Sequence, residues 1–251
     1  MKIYISMPDN QKYNTFTTPR ALARLQEVGE VSRNRTDREL TVDELVEQAQ
    51  DADVIVCGWG TVKFTRKVTE RLPNLKIIAY TAGSMVRVVD EEVLQNGIVA
   101  LTGNYIFAKS VAEGCIAYIL CALRRLEKYM KVMRNGGWKT DEHTNYSLLE
   151  RKIGLVGFGE IAKYLVDMLK PFDVEILVNS GHMTDAEEKK YGVKKASREE
   201  IFSTCDIVSL HLALTEKTVG CIDRTLLSML KPGALFVNTA RGKIVDEDAL
   251  V

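Results

Sequence analysis

The run Lys152-Ile153-Gly154-Leu155-Val156-Gly157-Phe158-Gly159-Glu160-Ile161-Ala162 constrains this chain more than any other feature. It reads as an apolar strand, a tight glycine turn and a helix start. Gly157 permits the turn. Gly159 removes a side chain where a phosphate would approach the backbone, and Ala162 lets the helix pack closely on the strand. Free N–H groups at the helix start then face an anion. A lone GxGxxA is a weak signal, but its flanks agree. An apolar strand precedes it, a helical stretch runs through Leu169, and Pro171 ends that helix before the next strand. The segment predicts a dinucleotide cradle, with Gly157, Gly159, Glu160 and Ile161 around the pyrophosphate.

Around this motif, strands and helices alternate in two series. Strand-like runs fall at Ile3–Ser6, Val54–Cys57, Leu75–Tyr80 and Ile98–Leu101, then at Ile153–Val156, Val174–Val178, Ile207–Leu212 and Ala234–Asn238. Helical stretches such as Arg20–Val28 and Val42–Gln50 lie between them. That alternation predicts an α/β fold with two Rossmann-like parallel sheets covered by helices. One long helix, Lys109 to Arg134, is expected to join the halves. Ser110 and Glu113 have capping-box spacing at its start, and Gly136-Gly137 would stop it.

Composition narrows the function. With 46 % hydrophobic residues the chain can bury a core, and 34 basic against 34 acidic residues give no electrostatic reason to expect nucleic acid or an anionic membrane as partner. The first residues read as a strand, not as a signal-peptide core. The longest apolar run, Cys115 to Leu123, is too short to span a bilayer. The cysteines (57, 115, 121, 205 and 221) are odd in number and lack CxxC spacing. Neither a disulfide framework nor a metal site is expected; reduced, mainly buried thiols in a cytoplasmic protein are.

A carboxylate is expected at the end of the strand after the glycine turn, to bind the ribose 2′-hydroxyl of NAD. Here the strand Val174–Val178 leads into Asn179-Ser180-Gly181-His182. Asp173 and Glu175 lie at the wrong end, and Asp185 falls in the next surface helix. Without a carboxylate a 2′-phosphate is not repelled, so Ser180 leaves both NAD and NADP open and leans toward NADP.

The stretch Lys231-Pro232-Gly233-Ala234-Leu235-Phe236-Val237-Asn238-Thr239-Ala240-Arg241-Gly242, continuing into Val245-Asp246-Glu247-Asp248-Ala249-Leu250, resembles the signature of the D-isomer-specific 2-hydroxyacid dehydrogenases. Ser110-Val111-Ala112-Glu113 and Asp206-Ile207-Val208-Ser209-Leu210-His211-Leu212-Ala213-Leu214-Thr215 agree in order and spacing. The resemblance implies a flavodoxin-like substrate domain over residues 1–102 and an NAD(P)-binding domain over 103–251. It implies transfer of a hydride between NAD(P)H and C2 of a small 2-oxo acid or D-2-hydroxy acid, and a homodimer built on the long helix and the Arg134–Trp138 arm. It assigns Arg241 to substrate and catalysis, Gly83 and Ser84 to the substrate carboxylate, and His211, Leu212, Thr215, Thr239 and Ala240, with Arg241, to the cofactor. A guanidinium after an apolar strand, at the carboxyl edge of a parallel sheet, independently suits a 2-oxo acid.

Two departures stand out. In the substrate loop Thr81-Ala82-Gly83-Ser84-Met85-Val86-Arg87, Met85 replaces a usual glycine and Arg87 a usual aspartate. Met85 would narrow or reshape the pocket; Arg87 would either favour an additional anionic group on the substrate or simply point to solvent. The family's catalytic Glu and His are expected beyond Val251, so these 251 residues are expected to be a fragment, inactive by themselves. His143, in a polar loop, and His182, beside the ribose, do not substitute; His211 is the first candidate if one does. The alternatives are a nicotinamide-sensing protein like the C-terminal binding protein co-repressors, or a non-catalytic binding module.

Overall fold

A computed structural model describes residues 1–138 and 144–250. The chain divides into two compact units, Met1–Phe107 and Ala108–Val251. His143 lies outside the described residues.

The first unit holds β1 (Lys2–Ile5), β2 (Glu30–Arg33), β3 (Val54–Cys57), β4 (Ile77–Tyr80) and β5 (Val99–Thr102), all parallel in the order β2-β1-β3-β4-β5. This is the flavodoxin-like order, with its switch point between β1 and β3. Every residue of β3 is buried, as a central strand covered on both faces requires. Ile55, Ile78, Phe64 and Leu72 pack one face, while Ile3, Ile5 and Val56 pack the other.

The second unit holds β6 (Lys152–Val156), β7 (Glu175–Asn179), β8 (Lys194–Lys195), β9 (Ile207–Leu210) and β10 (Leu235–Asn238). Their order is β10-β9-β6-β7-β8, again all parallel, with the reversal between β6 and β9. Gly154 sits in mid-strand because a Cβ there would stand 2.2 Å from the Ile201 Cγ2 methyl. The helix Arg198–Thr204 thereby lies closely on the sheet.

Sequence periodicity missed β2 and β8. Both lie at sheet edges and carry charged residues in place of an apolar run. The predicted 109–134 helix is two helices, Asn104–Leu123 and Leu126–Arg134. Arg125 takes a left-handed conformation (φ 50°), and the Leu123 carbonyl accepts from the Tyr146 N–H. Ser110 is therefore inside a helix and caps nothing, because the helix already begins at Asn104. This earlier start also makes the 104–123 helix long and apolar enough, by length and composition, to cross a membrane, contrary to the reading from the Cys115–Leu123 run alone. Its Ala112, Cys115 and Ile119 belong to the core of the second unit.

Candidate functional site

The second sheet ends, on its carboxyl edge, in three turns. After β6 comes Gly157, with φ 100°; a Cβ there would meet the His211 carbonyl oxygen at 2.6 Å and the Leu212 nitrogen at 3.1 Å. The turns after β6 and β9 thus touch at the switch point, through a position only glycine can fill. Gly159 is the reverse case: nothing lies within 4 Å of a Cβ built on it, so it opens onto free space. It is also the N-cap of the helix Glu160–Leu169, and no side chain caps that helix. Backbone donors at the helix start are left for an anion. Ala162 is buried against the sheet, Ile161 packs partly into the same core, and the exposed Glu160 carboxylate lies 3.7 Å from Lys163 Nζ. An open cradle over an uncapped helix start, beside a turn too tight for any side chain, fits a dinucleotide.

After β9, His211 donates its backbone N–H to the Val156 carbonyl, joining its turn to the glycine strand. Its Nε2 lies 3.0 Å from the buried Ser209 hydroxyl, while its buried Nδ1 has no hydrogen-bond partner. Burial pushes the imidazole pKa down to about 4, so the ring is neutral near pH 7. Leu212 packs partly into the core behind the turn. The Thr215 N–H donates to Thr218 Oγ1 at 2.7 Å, and the Thr218 hydroxyl donates to the Ala213 carbonyl at 2.7 Å. Sequence reading named Thr215 but missed Thr218, the residue that pins the loop. Its signal was the pair of threonines three apart.

After β10, Asn238 folds its side chain over the next residues. Its amide nitrogen donates to the Arg241 carbonyl at 3.1 Å, and its side-chain oxygen accepts from the Ala240 N–H at 3.0 Å. Thr239 Oγ1 lies 3.4 Å from the buried Cys115 thiol, which ties this turn to the 104–123 helix. The Arg241 guanidinium is exposed; its Nη1 donates to the Ala240 carbonyl at 2.7 Å. The rest of the fork is open to a ligand.

At the ribose end, β7 extends through Asn179, and Ser180 is half-buried, its hydroxyl accepting from the His182 N–H at 3.3 Å. Asp185 lies in the helix Asp185–Tyr191, paired with Lys195, and Glu175 pairs with Lys194. Neither carboxylate serves the ribose end of β7. Arg198, absent from the sequence reading, is half-buried here. Its Nε donates to Asn179 Oδ1 at 3.3 Å and its Nη1 to the Cys221 carbonyl at 3.4 Å. No linear motif links positions 179 and 198; only the pairing of β7 with β8 brings them together.

In the first unit, the loop after β4 places Gly83 beside the Asn104 side chain, whose oxygen would lie 3.5 Å from a Cβ at Gly83. Ser84 and Arg87 are exposed. Met85 is half-buried, its side chain packed against the unit's core. Among the described residues no group of three or more His, Cys, Asp or Glu converges as metal ligands would.

The fold and the carboxyl-edge turns define the second unit as a dinucleotide-binding α/β domain. Residues 116–251 match the family model for the NAD binding domain of D-isomer specific 2-hydroxyacid dehydrogenases. The chain is 31 % identical to a glyoxylate reductase of Pyrococcus furiosus over 234 residues, covering 90 % of this chain and 69 % of that one. It is 31 % identical to a D-3-phosphoglycerate dehydrogenase of Methanocaldococcus jannaschii over 231 residues, 92 % of this chain but 43 % of that protein's length. A crystal structure from Thermus thermophilus superposes with a TM-score of 0.77 at 27 % identity, over all of this chain and 77 % of that one. The chain belongs to the D-isomer specific 2-hydroxyacid dehydrogenase family, whose members are NAD-dependent oxidoreductases.

Proposed function

We propose that this protein reduces a small 2-oxo acid to its D-2-hydroxy acid with NADH or NADPH. The observation that carries this reading is Arg241: an exposed guanidinium on the same sheet edge as the Gly157 cradle, presented by the Asn238 turn. Bound there, a nicotinamide dinucleotide supplies a hydride. Arg241 takes the substrate carboxylate through its open fork and polarises the oxo group, so that negative charge developing on oxygen meets a fixed cation. In the first unit, Gly83 and Ser84 are the candidate donors to a carboxylate, by a backbone N–H and a hydroxyl. Glu160 and Ile161 present the helix N–H groups to the pyrophosphate, while Leu212, Thr215, Thr239 and Ala240 line the cofactor. We assign His211 no proton-transfer step, because burial keeps it neutral and its Nδ1 is sealed from solvent.

The half-buried Ser180, with Arg198 beside Asn179, supports use of NADPH as well as NADH, since a hydroxyl and a nearby guanidinium suit a 2′-phosphate. A homodimer fits the exposed apolar stripe Leu126, Met130 and Met133 on the helix Leu126–Arg134, with Tyr118 and Trp138 also exposed. All five thiols are free, which suits a reducing cytoplasm. The test is absorbance at the nicotinamide band during reduction of a panel of 2-oxo acids by the full-length protein. Absence of turnover with every 2-oxo acid and both cofactors would overturn the reading.

A further inference from the structure

We infer that the amino edge of the second unit's sheet carries an anion site, built on Arg125, Arg151 and Lys231, that takes the phosphate group of a small molecule. The site lies wholly within the second unit, at the opposite end of the strands from the cofactor turns, and does not rest on the reductase reading.

A cavity of about 260 Å³ opens there, lined by Arg125, Tyr146, Arg151, Asp206 and the turn 231–234. That volume is near the lower end for small-ligand pockets, which run roughly 300–1,000 Å³. Arg151 and Asp206 stand immediately before β6 and β9, and the turn 231–234 immediately before β10. Two of the cations share one ring: the guanidinium carbons of Arg125 and Arg151 lie 5.3 and 5.8 Å from the Tyr146 ring centroid. Each is held by a further bond. Arg125 Nη1 donates to Thr144 Oγ1 at 3.0 Å, and Arg151 Nε donates to the Ser147 carbonyl at 3.0 Å. Both side chains are half-buried. Arg125 also holds a left-handed backbone, φ 50°, which a residue with a side chain adopts only where its surroundings impose it.

Charge is not balanced in this cavity. Asp206 is the one carboxylate that lines it, against three cations. Its carboxylate lies 2.6 Å from Lys231 Nζ but 3.9 Å from Arg151 Nη1, and it also accepts the Lys152 N–H at 3.0 Å. Lys231 is thereby paired closely and Arg151 only loosely. Arg125 has no acidic partner among the described residues. Two like charges held on one ring repel, and a bound anion offsets that cost. Thr144, Ser147 and Tyr146 already hold the guanidiniums, so little side-chain freedom is lost on binding. A carboxylate has one charge and two oxygens, and satisfies one guanidinium fork. A phosphate monoester carries close to two charges and three acceptor oxygens, and answers both guanidiniums at once. Leu123 and Pro232 line the same cavity and suit a short carbon chain.

The experiment is calorimetric titration of the full-length protein, saturated with NADH, with inorganic phosphate, glycerol phosphate and succinate at matched ionic strength. Arg125→Gly and Arg151→Gln are titrated alongside, and the Tm of each protein is measured without ligand. Phosphate or glycerol phosphate is expected to bind the wild type with a Kd of about 1 mM or below, and succinate roughly tenfold more weakly. Each variant should weaken phosphate binding by about tenfold or more, since it loses a charge-assisted contact, and leave NADH affinity within about threefold. Glycine takes the left-handed backbone freely, so Arg125→Gly should keep its fold and carries the test if Arg151→Gln does not. Tighter binding of glycerol phosphate would identify an ester as the ligand and equal affinities free phosphate; both support the site. Phosphate binding unchanged in both variants, succinate bound as tightly as phosphate, or no phosphate bound by the wild type overturns the inference and leaves the reductase reading standing.

Discussion

A β-carbon on Gly157 would stand 2.6 Å from the carbonyl oxygen of His211, and these two residues leave the strands on either side of the switch point in the nucleotide sheet. The backbone of one turn is thus the floor of the other. His211 contributes its main chain to that floor, through the contact with Gly157 and the bond from its N–H to Val156.

Gly157→Ala meets two penalties. The φ of 100° costs an L-residue roughly 1–2 kcal/mol, and the new methyl also collides with backbone that cannot rotate away. The variant is expected to lose at least that much stability in urea denaturation, together with most of its cofactor affinity in a fluorescence titration. Wild-type values in both would mean the turn has slack that the contact distances deny.

The imidazole of His211 predicts an acid-sensitive stability. Its folded pKa is pushed down to about 4 by burial, against 6.5 for the free group. Above about pH 6.5 the ring is neutral in both states and contributes no pH dependence. As the pH falls from 6.5 toward 4, the unfolded chain takes up a proton that the folded chain refuses, so stability drops. The full loss is up to about 3 kcal/mol, less what the partly accessible ring edge recovers by hydration. His211→Gln should flatten the dependence between pH 6.5 and 4. Equal slopes for the two proteins would remove His211 from the account.

The glycine turn and the Arg241 strand end were legible because each is a local pattern: consecutive residues fix the backbone, and the backbone fixes the chemistry. The two sheets followed from apolar runs such as Val54–Cys57. What escaped depended on contacts between distant positions. Arg198 reaches Asn179 only through strand pairing, and Glu30–Arg33 forms a strand only because β1 lies beside it. The break at Arg125 was hidden for another reason. Helix propensity continues through Arg124-Arg125-Leu126, while the interruption comes from Tyr146, whose N–H claims the Leu123 carbonyl.

Ser180 and Arg198 predict a cofactor preference that can be reversed. Ser180→Asp would place a carboxylate at the end of β7, where it accepts from the ribose hydroxyls and repels a 2′-phosphate. The ratio of kcat/KM for NADPH over NADH is expected to fall tenfold or more. Arg198→Ala should lower the same ratio by weakening NADPH alone. A strong wild-type preference for NADH, or an unchanged ratio in both variants, would show that the ribose is read elsewhere.

Arg241 gives the sharpest test of the substrate site. Its side chain is exposed and donates to the neighbouring Ala240 carbonyl, so removing it disturbs no core packing. Arg241→Ala in the full-length protein should therefore keep the wild-type Tm to within a degree or two. Its activity should fall much further. Hydrogen bonds to charged groups are worth roughly 1.5–3 kcal/mol each, and a forked carboxylate contact uses two of them, so kcat/KM is expected to drop by a factor on the order of 10² or more. Part of that loss belongs in kcat, because polarisation of the oxo group grows as charge develops on its oxygen. Arg241→Lys restores the charge without the planar fork, and should recover only a fraction of the activity. Stability and steady-state kinetics on the three proteins check this. Near-normal turnover by the Ala variant would mean that Arg241 does not hold the substrate carboxylate.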